Sequence, residues 1–368
     1  MKRFALFITL AATTVLLAQE AVRQDPFLQQ QAVTNRIVPK AALAAPSQPA
    51  TLRRIADKIS IAAPLQHANI EIFFIEGDDL ADTTKVLTLD EAMSVKAGVV
   101  VKETKQVNEL SVQNGLADKQ VFIMAGDIVK GGQQDRTLAS DLPLQPQSGS
   151  VPVASFCVEQ GRWQKRGNES ADAFASSKNA ITSKEGKLAV RKAANQSLVW
   201  DSVAAAQEKL SRNIGKDVKP VASASSLQLT LEDKDLKAKV AAFQKALLAA
   251  VEARPRSLGF VYAINGEINS AEIIAGHDLF RRLWPKMLES IATEAISLAD
   301  GKKAATPATV ESVLEFIRKA ESAAATKKPL QGTLKHISAE SDETCLFETA
   351  DEKLDGQWLR RNILKKDR

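Results

Sequence analysis

The pair Asn265-Gly266 constrains the fold more than any other two residues of this chain. Apolar-rich runs flank it, "LGFVYAI" before and "EINSAEII" after. A two-residue hairpin turn of the favoured hand needs positive φ at both central positions, which asparagine and glycine tolerate best. The text therefore predicts an antiparallel hairpin that ends at Gly276. Helical text surrounds it. Val199, Val203, Ala206 and Leu210 recur at helical spacing upstream, as do Leu236, Val240, Phe243, Leu247 and Val251, which stop before Pro255. Downstream, "LFRRLWPKMLESIATEAISLA" reads as helix, with Asp278 as its cap and Pro285 as a kink or a new start. A further helix is expected over roughly 307–325.

The first half reads differently. "NIEIFFI", "GVVVKE", "ELSVQN" and "QVFIMAG" are strand text, as are "RTLASDLPL" and "SVPVASFCV". Pro143 and Pro152 send the last two to edges or strand ends. "TLDEAMSV" is a short helix with a capping box between Thr88 and Glu91. The polar stretch 164–195 is expected to be a solvated excursion, and the tail returns to strands in "GTLKHISAE", "ETCLFETA" and "QWLRRNIL". The predicted fold class is α+β: a β-rich N-terminal half with antiparallel strands, a helical middle containing one β-hairpin, and a β-strand C-terminal tail.

The chain opens with Lys2 and Arg3, then an apolar run from Phe4 to Leu17, then Ala18. This order reads as a secretory signal peptide over residues 1–18, with Gln19 the first mature residue. The competing reading is an uncleaved anchor or a buried helix, although the run is short for a membrane span. The expected localisation is exported, periplasmic or secreted, with no stable membrane insertion after cleavage. Residues 19–64 are rich in Gln, Ala and Pro and read as a flexible leader to a single domain over 65–368. Lys and Arg total 49 against 44 Asp and Glu, and no arginine-rich stripe stands out, so no nucleic-acid partner is expected. Export leaves two readings open for Cys157 and Cys345: a disulfide or two buried thiols.

Three segments concentrate chemistry. In "AGDIVKGGQQDR" the pair Gly131-Gly132 permits a tight turn, while Gln133, Gln134 and Arg136 supply donors suited to anionic or amide groups. A decorated hairpin turn is the bland alternative. In "FCVEQGRW", alternation puts Phe156 and Val158 on one face and Cys157 and Glu159 on the other. Glu159 could act as a general base or as the ion partner of Arg162 or Arg136; Cys157 could act as a nucleophile only with a lowered pKa, and the chain has 3 histidines to supply a partner. In the third segment His277 precedes the expected helix cap. The weak catalytic candidates are thus Glu159, Cys157 and His277. The candidate ligand-binding set is Gly131, Gly132, Gln134, Arg136, Glu159, Arg162 and Trp163. No HExxH, CxxC, GxSxG or GxGxxG pattern occurs, so neither a metal nor a cofactor is expected.

The same segments carry a resemblance. "LTLDEAM", "VFIMAGDIVKGGQQDR", "VPVASFCVEQGRW" and "GFVYAINGEI…DLFRRLWPKMLESIATEAI" are similar to the signature blocks of an uncharacterised bacterial domain family. That family is named for its association with ADP-ribosylglycohydrolase and rhodanese-phosphatase superfamily proteins. The similarity covers roughly residues 68–300. Near residue 131 the family pattern reads like Gly-Ala-Lys-Gln-Asn-Arg. Here Gly132, Gln133 and Asp135 depart from it, while Gln134 and Arg136 match, as do Cys157, Glu159, Gly161, Arg162 and Trp163. The resemblance implies a shared fold and no established activity.

Taken from residues alone, the expected function is an exported binding domain with a polar Arg/Glu/Trp site for an anionic or amide-bearing ligand or a protein partner. The alternatives are a hydrolase using Glu159 as general base and a structural envelope protein.

Overall fold

Period-2 alternation in one short strand builds both hydrophobic layers around the main sheet. In Ile70–Glu76, the side chains of Ile70, Ile72 and Phe74 enter one core, while Phe73 and Ile75 enter another. A strand buried on both faces reads as a continuous apolar run, and "NIEIFFI" is such a run. The computed structural model describes residues 47–104, 106–301 and 306–367. They lie in one compact unit.

In chain order the strands begin with β1 (Gln48–Ala50), β2 (Ser60–Ile61), β3 (Leu65–His67), β4 (Ile70–Glu76), β5 (Val86–Thr88), β6 (Val99–Glu103) and β7 (Glu109–Asn114). Next come β8 (Gln120–Ile123), β9 (Asp127–Gly131), β10 (Arg136–Leu138), β11 (Leu142–Leu144), β12 (Gly149–Cys157) and β13 (Phe174–Ala180). The hairpin is β14 (Ser257–Ile264) and β15 (Glu267–Ile274), and the tail holds β16 (Ala325–Gln331), β17 (Leu334–Glu340), β18 (Thr344–Asp351) and β19 (Gln357–Lys365). The helices are α1 (Leu89–Ser94), α2 (Lys184–Leu188), α3 (Gln196–Ile214), α4 (Leu227–Leu231), α5 (Lys234–Leu247), α6 (His277–Ser297) and α7 (Val310–Ser322).

The fold is mixed α and β, and among the described residues the pairing is antiparallel except between β5 and β8. One sheet has the order β1-β16-β17-β18-β19-β15-β14-β4-β2, with β3 also on β4. Helices α3, α5 and α6 cover one face through Val203, Phe243, Leu283 and Trp284. Helix α7 covers the other through Val313, Phe316 and Ile317. The second sheet runs β13-β9-β10-β12-β7-β6, and a third runs β11-β8-β5; Val101, Val112, Val121, Leu138 and Val153 fill the core between them.

The Asn265-Gly266 turn joins β14 to β15 with φ +53° and +83°. Thr88 and Glu91 form the expected capping box on α1. Several expectations need correction. The flexible leader does not reach residue 64: β1 pairs with β16, and Ile55 and Ala56 are buried with their amides on Glu321. Apolar burial and a carboxylate acceptor order a stretch whose composition reads as linker. The excursion after residue 164 is not wholly solvated, because it contains β13 and α2. "RTLASDLPL" is two strands in two sheets, β10 and β11. Pro285 sits inside a continuous α6, and the cap of that helix is Gly276, with Asp278 in its first turn. The amide of His277 donates instead to Asp79 Oδ1 at 2.8 Å. The expected signal peptide lies outside the described residues. Among the described residues, no helix is long and apolar enough to cross a membrane.

Candidate functional site

The Gly131-Gly132 turn and the FCVEQGRW stretch meet because β10 pairs with β12 and sets Arg136 opposite Cys157. Gly131 and Gly132 both have positive φ, +120° and +56°. A Cβ on Gly132 would stand 2.4 Å from Phe174 Cζ and 2.6 Å from Glu103 Oε1, so the close approach requires glycine.

Past the turn lies a buried charge cluster. Asp135 and Glu159 are fully buried. Arg162 donates from Nε to Glu159 Oε2 at 2.7 Å, and from Nη1 to the carbonyls of Gln164 (2.7 Å) and Gly132 (3.3 Å). Its Nη2 reaches the Gly131 carbonyl and Asp135 Oδ1, both at 3.5 Å. Arg166 forks onto Asp135 at 3.0 and 3.2 Å, stands 3.7 Å from Glu159 Oε1, and bonds Glu169 at 2.8 Å. Asp135 also accepts from the Gly131 amide at 3.0 Å and from Ser226 Oγ at 3.4 Å. Two buried carboxylates, the more exposed Glu169 and two guanidiniums thus meet, and each buried charge has a partner of opposite sign. Pairing offsets much of the cost of burying ionised groups, although among the described residues Glu159 Oε1 has no hydrogen-bond donor, with Arg166 3.7 Å away.

Arg136 serves a neighbouring set. Its Nη1 donates to the Val107 carbonyl and contacts Cys157 Sγ at 2.6 Å, and Nη2 lies 3.8 Å from Glu103. Gln134 is fully buried, with neither amide atom bonded among the described residues. Trp163 is half-buried, just after exposed Gly161 at φ +89°.

Cys157 is held by its backbone: Gln196 at the start of α3 accepts from its amide and donates to its carbonyl, each at 2.8 Å. Burial pushes the Cys157 thiol up, against a smaller opposing pull from Arg136. Cys345 packs elsewhere with Phe347 and Leu364, and both cysteines are free thiols.

The third segment does not join the site. His277 opens α6, and its Nδ1 lies 2.8 Å from the Ser257 carbonyl. Asn265 and Gly266 line a different groove with Thr306 and Lys319. Among the described residues, no hydrogen bond or ion pair links 265–278 to 131–136 or 157–163. Nor does any group of three or more His, Cys, Asp or Glu side chains gather to hold a metal ion.

Sequence reasoning missed Asp135, Arg166 and Glu169. The last two lie in text read as solvated, and the only available signal was their closeness to Arg162 along the chain. It also missed a second buried network, in which Asp141 binds Arg191 (2.7 Å) and Arg360 (2.7 Å), and Arg360 binds Glu272 (2.8 Å).

Fold and cluster together define a mixed α and β domain organised around buried carboxylate–guanidinium pairs beside a double-glycine turn. The chain belongs to the family described as ARPP-1, the ARG and Rhodanese-Phosphatase-superfamily-associated Protein domain, which matches residues 58–361. Neither the curated proteins nor the solved structures contain a match to it.

Proposed function

We propose that this protein is a non-catalytic binding domain in which the Asp135–Glu159–Arg162–Arg166 cluster is a frame and the loop it holds is the contact surface. The observation that carries the reading is the saturation of Arg162, whose Nε, Nη1 and Nη2 all contact oxygens of the protein itself. A guanidinium so occupied is not available to grip an incoming anion, so the direct ligand role expected of Arg162 passes to what it supports. That loop carries half-buried Trp163 and exposed Gln160, Gln164 and Lys165. Tryptophan is favoured as a contact anchor because it offers a large rigid area. The exported setting implied by residues 1–18 is part of this proposal.

Two facts weigh against the hydrolase reading. Glu159 is fully buried against Arg162, and a general base must reach the proton it removes. Cys157 is fully buried with a raised pKa, the opposite of an activated thiol. The structural-envelope reading shares the saturation of Arg162, and the half-buried Trp163 beside exposed Gln160, Gln164 and Lys165 is what favours binding over it.

A photoreactive phenylalanine analogue at position 163 separates binding from a purely structural role. In the producing cells it should yield a discrete protein adduct, absent when the analogue replaces fully exposed Val221. Equal labelling at both positions, or none at 163, would leave the structural reading in possession.

A further inference from the structure

We propose a second site, a polar groove between β9, β13 and the helices α4, α5 and α6, that takes a small hydroxylated oxyanion. The groove has a volume of about 430 Å³. It shares no residue with the Trp163 loop, so it stands or falls independently of the binding surface proposed there.

The groove owes its lining to an irregularity in β13. Ser176 pairs with Val129, but the next pair is Ala180 with Asp127. Four residues on β13 thus span two on β9, and Ser177, Lys178 and Asn179 bulge out of the ladder. Bulges re-aim side chains and recur beside functional sites. This one is braced from below. Ser177, buried, accepts from the Asn179 amide at 3.0 Å and donates to Gln228 Oε1 at 2.7 Å. Gln228, also buried, donates to Glu232 Oε1 at 2.9 Å, and Lys130 binds the same oxygen at 2.7 Å. Lys130 and Glu232 therefore neutralise one another as part of the floor.

The remaining charges have no such partners. Among the described residues, the ammonium groups of Lys178 and Lys237 and the carboxylate of Glu289 form no hydrogen bond or ion pair. All three line the groove, together with Gln244. Partial burial pushes the Glu289 carboxyl up, while Lys237 and Lys178 act on it from a distance and pull the other way. Two unpaired ammoniums suit one oxyanion, a carboxylate or a phosphate, as point-charge partners. A carboxyl with no internal partner suits a ligand hydroxyl.

Calorimetric titration of the mature chain with glucose 6-phosphate, gluconate and inorganic phosphate tests the site. At least one hydroxylated probe should bind more tightly than inorganic phosphate, and whichever it is decides between phosphate and carboxylate. The double variant Lys178→Ala/Lys237→Ala should weaken that binding by about tenfold or more, as loss of two charged contacts requires. Glu289→Gln should reduce the preference for the hydroxylated probe over inorganic phosphate. Lys178 and Lys237 are exposed, so an unchanged thermal midpoint should accompany the double variant. The proposal is overturned if no probe binds, if the double variant binds as the parent does, or if inorganic phosphate binds as tightly as the sugar derivatives.

Discussion

Arg162 and Glu159 are three residues apart on a non-helical bend and are joined at 2.7 Å, with 9% of the arginine side chain and none of the glutamate side chain exposed. The pair closes the strand end of β12 onto the Gly131-Gly132 turn. Removing one partner of a buried pair strands the other, so Arg162→Ala should cost about 3 kcal/mol or more. Glu159→Gln should fall in the same range, because it leaves Arg162 and Arg166 one carboxylate short. Urea denaturation measures both. An unshifted midpoint for Arg162→Ala would show that the guanidinium is not structural and would return it to the ligand-binding role.

Gly132→Ala meets Phe174 and Glu103 inside contact distance and places a Cβ at φ +56°. The strained backbone alone costs about 1–2 kcal/mol. Gly167, at φ +53°, has open space around its would-be Cβ, so Gly167→Ala should carry the backbone cost without the clash. Comparison of the two melts isolates the close approach.

The acid limb of stability should have two parts. Burial, joined by the charge of Arg191, pushes His336 from 6.5 down to about 4. Its Nδ1 is shut from solvent with no partner among the described residues, and the ring stacks on Phe347. The unfolded chain takes up this proton first, so stability falls as pH drops from 6.5 towards 4. Asp141 behaves differently. Burial would raise it, but Arg191 and Arg360 override burial and hold the carboxyl at about 2, below its usual 3.8. Its contribution is complete above 3.8 and is lost as pH falls through about 2. Each group should account for roughly 2–3 kcal/mol. His336→Phe should flatten the upper part of the limb and Asp141→Asn the lower, read from chemical denaturation at stepped pH.

Burial raises both cysteine thiols. Neither should react with iodoacetamide in the native state on a scale of minutes, and both should react after unfolding without a reductant. A mass increase of fewer than two adducts in the unfolded, unreduced chain would indicate a disulfide and contradict the free-thiol arrangement.

Local patterns carried much of the fold. The Asn265-Gly266 turn, the Thr88–Glu91 cap and the apolar periodicities of α3 and α5 are decided by residues within one turn or one helical stripe, and the chain text shows them directly. The sequence likewise determined that 131–136 and 157–163 would hold unusual chemistry, because glycines, arginines and a buried-type thiol in so few residues are legible as composition.

Only the tertiary structure decided which of those groups face one another. The β10–β12 register sets Arg136 against Cys157, two candidate groups, Glu159 and Arg162, partner one another, and Arg166 meets Asp135 across 31 residues of chain. Burial of Ile55 and Ala56 against Glu321, 265 or more residues away, likewise ordered text that reads as linker. Charge pairing and burial depend on distances in space between segments far apart in the chain, and periodicity within a segment carries no record of them.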